Sequence, residues 1–360
     1  MLKRRENLKM PAYKIFIGFI FAAALLNSSI CYAQNKTLRA LAEKRGIYIG
    51  TAAAMRPLQN ELLYRQTVKR EFNIIVAENA FKWTSLSPAK GKFYFKDTDL
   101  LVDFAAKNKM KIRGHTLVWH RQIPEWLLKG NFNRDQLIAI LKNHIQTLVG
   151  RYRGKIVAWD VVNEAIDDQT GKFRTDSFWY RKLGSDYIQI AFETAREADP
   201  NAKLYYNDYS AEGINPKSDG IYALLKELKK NGVPVDGIGW QMHVENGFRI
   251  EPQHYENAKR LAALGLELSV TEMDVRMKLP AATKELQKQA EAYGDVANFC
   301  VSERACKAIL IWGVTDKYSW IPGEFPNTGD ALIFDKSYKR KLAYTALQDA
   351  FENSNNTNVH

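Results

Sequence analysis

A closed (β/α)8 TIM barrel of the α/β class, forming a single domain, is what this sequence predicts on three observations. Eight short apolar, β-prone segments recur between residues 47 and 313, with amphipathic helical stretches between them. No Pro/Ser/Gly-rich linker, repeat or charge block interrupts residues 34–352. Seven of the eight segments run into a cluster of polar and aromatic residues, always at the carboxyl end. Alternating strand and helix calls for a parallel sheet with right-handed crossovers. Eight such units, in a span near the ~250 residues a closed barrel needs, favour closure over an open sheet.

The elements follow in order. Ile47–Thr51 opens the set, and Ile74–Glu78 is a β-branched run that ends in Glu78-Asn79-Ala80-Phe81-Lys82-Trp83. Leu100, Leu101, Phe104 and Ala105 then recur at helical spacing before Lys111–Leu117, whose end reads His115 through His120. A second helical stripe, Leu137, Ile140, Leu141 and Ile145, precedes Ile156–Val162 and its terminus Asn163-Glu164. Lys203–Tyr206 runs into Asn207-Asp208, and a third stripe of Ile221, Leu224, Leu225 and Leu228 leads to Gly237–Gln241 and His243. Leu266–Thr271 ends in Glu272-Met273-Asp274, and Ala308–Gly313 leads through Trp312 to Trp320. In a barrel of this kind the carboxyl ends of the strands share one mouth, where active sites sit. A polar group at one strand end means little; seven at the same end make a site.

Composition bounds the rest. The chain has 360 residues, 46% hydrophobic and 26% charged, which excludes a disordered or fibrous protein. Three cysteines are too few for a disulfide-stapled miniprotein. The formal charge of +12 keeps a nucleic-acid or acidic-polymer partner open. Residues 1–33 read as a secretory signal: Lys3, Arg4, Arg5, Lys9 and Lys14, then the apolar run Ile15–Leu26, then small residues before Gln34. A membrane anchor is the alternative, but 12 apolar residues fall short of the about 20 that a span needs. A lipoprotein signal at Cys31 is disfavoured by the bulky Ile30. Removal of five bases and one acid lowers the charge from +12 to +8, with no concentrated basic run remaining. The expected organisation is a signal peptide at 1–33, a barrel at 34–352 and a polar tail at 353–360. Export places Cys300 and Cys306 in an oxidising compartment, secreted or periplasmic, where a disulfide is favoured over two buried free thiols.

The mouth collects carboxylates (Glu78, Glu164, Glu272, Asp274), histidines (His115, His120, His243) and tryptophans (Trp83, Trp119, Trp312, Trp320). There is no nucleophile-elbow serine, CxxC, HExxH or glycine-rich phosphate loop. Paired carboxylates framed by indole rings are what glycoside hydrolysis uses: one acid protonates the leaving oxygen, and one carboxylate attacks or activates water at the anomeric carbon. Glu272 and Asp274 are two apart and leave the same strand face. A zinc site from the three histidines is weighed and set aside, and neither metal nor cofactor is expected.

Trp159-Asp160-Val161-Val162-Asn163-Glu164 and Val270-Thr271-Glu272-Met273-Asp274 resemble the two glutamate motifs of glycoside hydrolase family 10, mainly endo-1,4-β-xylanases. Glu78-Asn79 with Lys82-Trp83, His115 through His120 with Gln122, Asn207-Asp208, Gln241 with His243, and Trp312 with Trp320 follow in that family's order, so the resemblance spans residues 37–352. It implies a retaining hydrolase of xylan and xylo-oligosaccharides, with Glu164 as acid/base and Glu272 as nucleophile. His243 and Asp274 would orient Glu272, and Asn163 would bond the 2-hydroxyl of the reacting sugar. Glu78, Asn79, Lys82, His115, Trp119 and Gln122 would grip sugars on the non-reducing side, with Asn207 and Gln241 as further substrate contacts. Trp312 and Trp320 would wall the reacting sugar.

Trp159 is expected in the barrel core and Asp160 as a structural hydrogen-bond partner. His144 and His254 read as surface or packing, and Asp167-Asp168 as a solvated loop. Trp240 and Leu342 depart from the family's pattern, where a smaller residue and a proline are usual. A β-1,4-glucan-cleaving relative and a catalytically silent polysaccharide- or polyanion-binding protein are the competing readings; the pair Glu164 and Glu272 argues against silence. The expected state is a monomer with no nucleic-acid partner and no membrane association after signal removal.

Overall fold

The computed structural model describes residues 37–353. The signal segment, Cys31 and all but the first residue of the polar tail lie outside the described residues. Eight parallel strands close on themselves: β1 (Tyr48–Ala53), β2 (Ile74–Ala77), β3 (Lys111–Trp119), β4 (Ala158–Asn163), β5 (Lys203–Asp208), β6 (Gly237–Trp240), β7 (Glu267–Lys278) and β8 (Cys306–Ile311). Neighbours pair in sequence order from Gly50↔Ile74 onward, and Ile49↔Ile309 returns β8 to β1. All eight expected strands are present, so the fold is the (β/α)8 barrel. The ring has no free edge, and each strand is covered by the barrel interior on one face and by helices on the other, which is why the segments read as nearly continuous apolar runs.

The three expected helical stripes lie on helices Lys96–Lys107, Arg134–Arg151 and Pro216–Lys230, and their apolar faces turn toward the sheet. Two of these helices start at reciprocal capping boxes, Asn133 with Gln136 and Asn215 with Ser218. Each satisfies two backbone donors that the first turn would leave open. His144, on the second helix, stacks on Trp83 with ring centroids 3.8 Å apart, and Trp83 in turn stacks on Trp179. Trp83, expected at the mouth, is therefore a packing residue. The capping side chain of His254 is buried at the start of helix Pro252–Ala262.

Trp159 is fully buried, but between the sheet and the helices, edge-on to Phe81, since it alternates with the inward-facing Asp160; a Cβ on Gly114 would meet its ring at 2.1 Å, so only glycine fits at that crossing. Asp160 is a structural partner: its carboxylate takes both Nε and Nη2 of the buried Arg113 and lies 3.1 Å from His115 Nδ1. Trp240 is accommodated by stacking on Phe299 of helix Thr283–Ser302. Leu342 begins the last helix, Leu342–Asn353, and stays 48% exposed, so the missing proline costs no packing.

Strand β7 is the longest because it runs past the barrel rim. Beyond the ring it pairs with a short strand, His243–Glu245, through His243↔Asp274, and antiparallel with Thr328–Gly329. This extension builds one wall of the mouth. At the ring, Cys300 and Cys306 form a disulfide that ties helix Thr283–Ser302 to the first residue of β8. The closed loop is short, so replacing both cysteines by alanine is expected to lower the unfolding free energy by about 2 kcal/mol, read from denaturant midpoints. Among the described residues no helix is long and apolar enough to cross a membrane.

Candidate active site

Two glutamates occupy the mouth, and the backbone presents each differently. Glu164 follows the last residue of β4 with φ 57°, a left-handed conformation that turns its side chain out of the strand. Its Oε2 accepts from the Trp119 indole N–H at 2.7 Å, and its Oε1 accepts from Asn163 and Gln241 amides, both at 3.0 Å. His120 Nδ1 lies 3.7 Å from Oε2, so this histidine stands against the site. Glu272 lies inside β7, beside a register shift against β8 between Val270 and Met273, and shares with Asp274 the face on which both meet His243.

Glu272 is held as an anion. Its Oε1 accepts from Asn207 Nδ2 at 2.6 Å, and its Oε2 faces His243 Nε2 at 3.3 Å. The Asn207 amide is oriented by Thr271, whose hydroxyl donates to Asn207 Oδ1 at 2.6 Å, so the NH2 end faces Glu272. A Cβ on Gly239 would sit 2.1 Å from that same oxygen, so this glycine makes room for the amide. Burial pushes the Glu272 carboxyl up, but the charge of His115 and the bond and charge of His243 outweigh it, leaving the group below the usual carboxylate range.

His243 is the counter-ion. Burial disfavours its charge, yet Asp274 on one ring nitrogen and Glu272 on the other raise it to about 10. Asp274 Oδ2 also accepts the Trp320 indole N–H at 2.8 Å, which fixes the carboxylate behind the histidine. The bound proton ties stability to pH. The contribution is whole below 6.5, the ordinary histidine value, and is lost as pH rises through about 10. Thermal midpoints of the wild type are expected to fall across that window, and those of a His243→Asn variant to fall less.

These groups open onto a cleft of about 710 Å³ lined by Glu78, Asn79, Lys82, His115, Trp119, Gln122, Asn163, Glu164, Gln241, His243, Glu272, Trp312 and Trp320. Lys82 donates to Asn79 Oδ1 at 3.0 Å; burial lowers its affinity for the proton, while Glu272, Glu78 and Glu164 pull it back up. Glu78 is raised by burial against the pull of Lys82 and Asn79. Trp312 meets His115 edge-on at 5.2 Å. Of the expected substrate contacts Asn207 is placed elsewhere, while Asp274 stands behind His243 as its expected partner. Asn207 is fully buried beneath the cleft, its amide engaged by Glu272, Asn163 and Thr271, and Asp274 is equally buried behind His243. Among the described residues no group of three or more His, Cys, Asp or Glu side chains is arranged to hold a metal ion.

Arg121, Tyr209, Ser210, Arg276, Glu324 and Phe325 also line the cleft and escaped the sequence reading. Only Arg276 carried a signal: it is two residues beyond Asp274, on the strand face already assigned to the site. Asp167 caps Gln169 and Thr170 in a solvated loop, as expected, and in the same loop Asp168 is 42% exposed. It accepts from Lys217, Arg174 and Tyr209. Asp208, fully buried beside Lys217, is pushed up by burial to about 7 in spite of that cation.

The sequence profile of glycosyl hydrolase family 10 matches residues 37–350, almost the whole described chain. The chain belongs to glycosyl hydrolase family 10. Among its family 10 relatives, endo-1,4-β-xylanase B of Thermotoga neapolitana is 44% identical over 324 residues, covering 89% of this chain and 93% of that protein. The crystal structure of native xylanase 10B from Thermotoga maritima superposes with a TM-score of 0.86 at 44% identity, covering 88% of this chain and 98% of the other. Xylanase 10B from Thermotoga petrophila in complex with xylobiose gives the same TM-score, identity and coverage. The family 10 barrel is thus shared along its full length, including both glutamate-bearing strands.

Proposed function

We propose that this chain is an endo-1,4-β-xylanase that cleaves internal bonds of xylan with retention of configuration, using Glu272 as nucleophile and Glu164 as acid/base. The observation that carries the reading is the asymmetry of the two carboxylates in one cleft. Glu272 is kept ionised by His243 and Asn207, whereas Glu164 is held by neutral donors, Trp119, Asn163 and Gln241. In the first step a Glu272 oxygen bonds to the anomeric carbon as the glycosidic bond breaks, and Glu164 gives its proton to the departing oxygen. In the second, Glu164 takes a proton from water, the water oxygen bonds to the anomeric carbon and the ester to Glu272 breaks. Two inversions leave the configuration unchanged.

Asn163 spends one amide N–H on Glu164, and its second N–H serves the sugar 2-hydroxyl. Glu78, Asn79, Lys82, His115, Trp119 and Gln122 bind the sugars on the non-reducing side, Gln241 supports the reacting sugar, and Trp312 and Trp320 wall it. A groove of about 970 Å³ shares Glu78 and Asn79 with the cleft and extends it, which suits a long chain bound at an internal bond. The amino-terminal leader and the disulfide support a secreted or periplasmic location, and the reading takes the protein as a monomer with no nucleic-acid or membrane partner.

The test is release of new reducing ends from xylan and from soluble cellulose by the purified protein, with the first product followed by NMR. Activity on xylan with a β-configured first product is expected. Faster release from cellulose favours the glucan-cleaving reading; an initial α-product rules out retention, and inactivity on both polymers removes the enzyme reading.

A further inference from the structure

The peptide joining Glu164 to Ala165 is gripped at both of its polar atoms by side chains that are also joined to each other. The carbonyl of Glu164 accepts from Arg174 Nε at 3.2 Å, and the N–H of Ala165 donates to the Tyr206 hydroxyl at 3.0 Å. Tyr206 donates onward to Asp208 Oδ2 at 2.6 Å, and Asp208 Oδ1 lies 2.8 Å from Lys217 Nζ. Lys217 donates to Asp168 Oδ1 at 2.7 Å, and the same oxygen accepts from Arg174 Nη2 at 3.0 Å. The circuit therefore closes on the guanidinium where it began.

Arg174 and Lys217 face the carboxyl groups of Asp168 and Asp208, and that pairing is what allows Lys217 and Asp208 to be almost wholly buried. Lys217 is further held over the Tyr209 ring, 3.4 Å from its centroid. None of Tyr206, Asp208, Lys217 and Arg174 lines the catalytic cleft. At the point where the circuit acts, Glu164 has φ 57°, a conformation that a residue other than glycine keeps only when its surroundings over-determine it. A left-handed residue aims its side chain differently from an extended one, so the grip on this peptide sets where the carboxyl points.

We propose that this closed circuit positions the Glu164 carboxyl for proton transfer, with Tyr206 and Arg174 as the positioning residues at its two ends. The proposal rests on Glu164 being the acid/base. A general acid must stand within hydrogen-bond reach of the oxygen it protonates, and small displacements from that geometry are costly. Opening the circuit frees the peptide to relax toward the extended region and withdraws the carboxyl from the leaving oxygen, without touching the substrate or Glu272.

The experiment compares Tyr206→Phe and Arg174→Gln with the wild type on two substrates of one glycone: an aryl β-xylobioside with a dinitrophenol leaving group, which needs no acid, and xylohexaose, which does. Each variant is expected to lose on the order of tenfold or more in kcat/KM on xylohexaose while staying within about twofold on the aryl substrate. A role confined to stability predicts a lowered Tm with equal losses on the two substrates, or with none, and either pattern overturns the proposal. Arg174→Gln carries the same comparison should Tyr206→Phe not fold. A Glu164→Ala control separates the two ideas: if it shows no leaving-group dependence, the acid/base assignment itself fails; if it does and the circuit variants do not, only the circuit falls.

Discussion

Glu272→Ala is expected to lower kcat on xylan by about five orders of magnitude while leaving the fold intact. No other carboxylate occupies the β7 face of the cleft: Asp274, the next on that face, is fully buried behind His243 and accepts from the Trp320 indole. Without Glu272 no covalent sugar ester forms, and the mouth keeps only its binding groups. The side chain lost leaves a space beside the anomeric carbon, on the face opposite the leaving group. Azide added with a dinitrophenyl β-xylobioside should fill it, displace the phenolate in one inverting step and give an α-glycosyl azide. Residual xylan turnover above about a hundredth of wild type, or a β-azide product, counts against Glu272 as nucleophile.

Glu164→Ala should divide the substrates by leaving group. On xylan, where the departing alkoxide needs a proton, kcat/KM is expected to fall by about 10⁴-fold; on the dinitrophenyl glycoside it should stay within about tenfold, since that phenolate leaves unaided. Loss of the base then makes breakdown of the sugar ester slow, so kcat on the activated substrate drops although kcat/KM does not. Azide relieves this second step by attacking the Glu272 ester, giving a β-azide, the opposite anomer from the Glu272 variant. The two anomers together assign the two roles, and equal losses of kcat/KM on both substrates would remove Glu164 from its role.

Much of the site was legible before any coordinates. The period-two pattern around Glu272 and Asp274 placed both on one face, and β7 keeps them there. The clusters at strand ends predicted one mouth, and thirteen residues named from sequence line one cleft. Trp159 is a buried packing residue and Asp160 a structural hydrogen-bond partner, as the sequence predicts, although they leave opposite faces of β4. What escaped was the depth of each residue within the mouth. Asn207 and Gln241 both end strands, yet one lies beneath the cleft and the other lines it, because neighbouring strands are staggered and successive layers of side chains sit at different heights. Trp83 carried the same signal as Trp119 but turns away from the mouth onto His144 of the surrounding helix layer.

The sequence by itself determined the number and order of the strands, the barrel they close into, and the residues that gather at its mouth. These follow from hydrophobic periodicity and from the shared direction of parallel strands, which are properties of short stretches of chain. Only the tertiary structure decided the ionic partners Arg113 for Asp160 and Lys217 for both Asp168 and Asp208. Lys217 stands nine residues from Asp208 but 49 from Asp168, and Arg113 stands 47 from Asp160. No local pattern encodes such pairs; they exist because folding brings polar side chains from distant strands, helices and loops together, and each buried charge must find a partner.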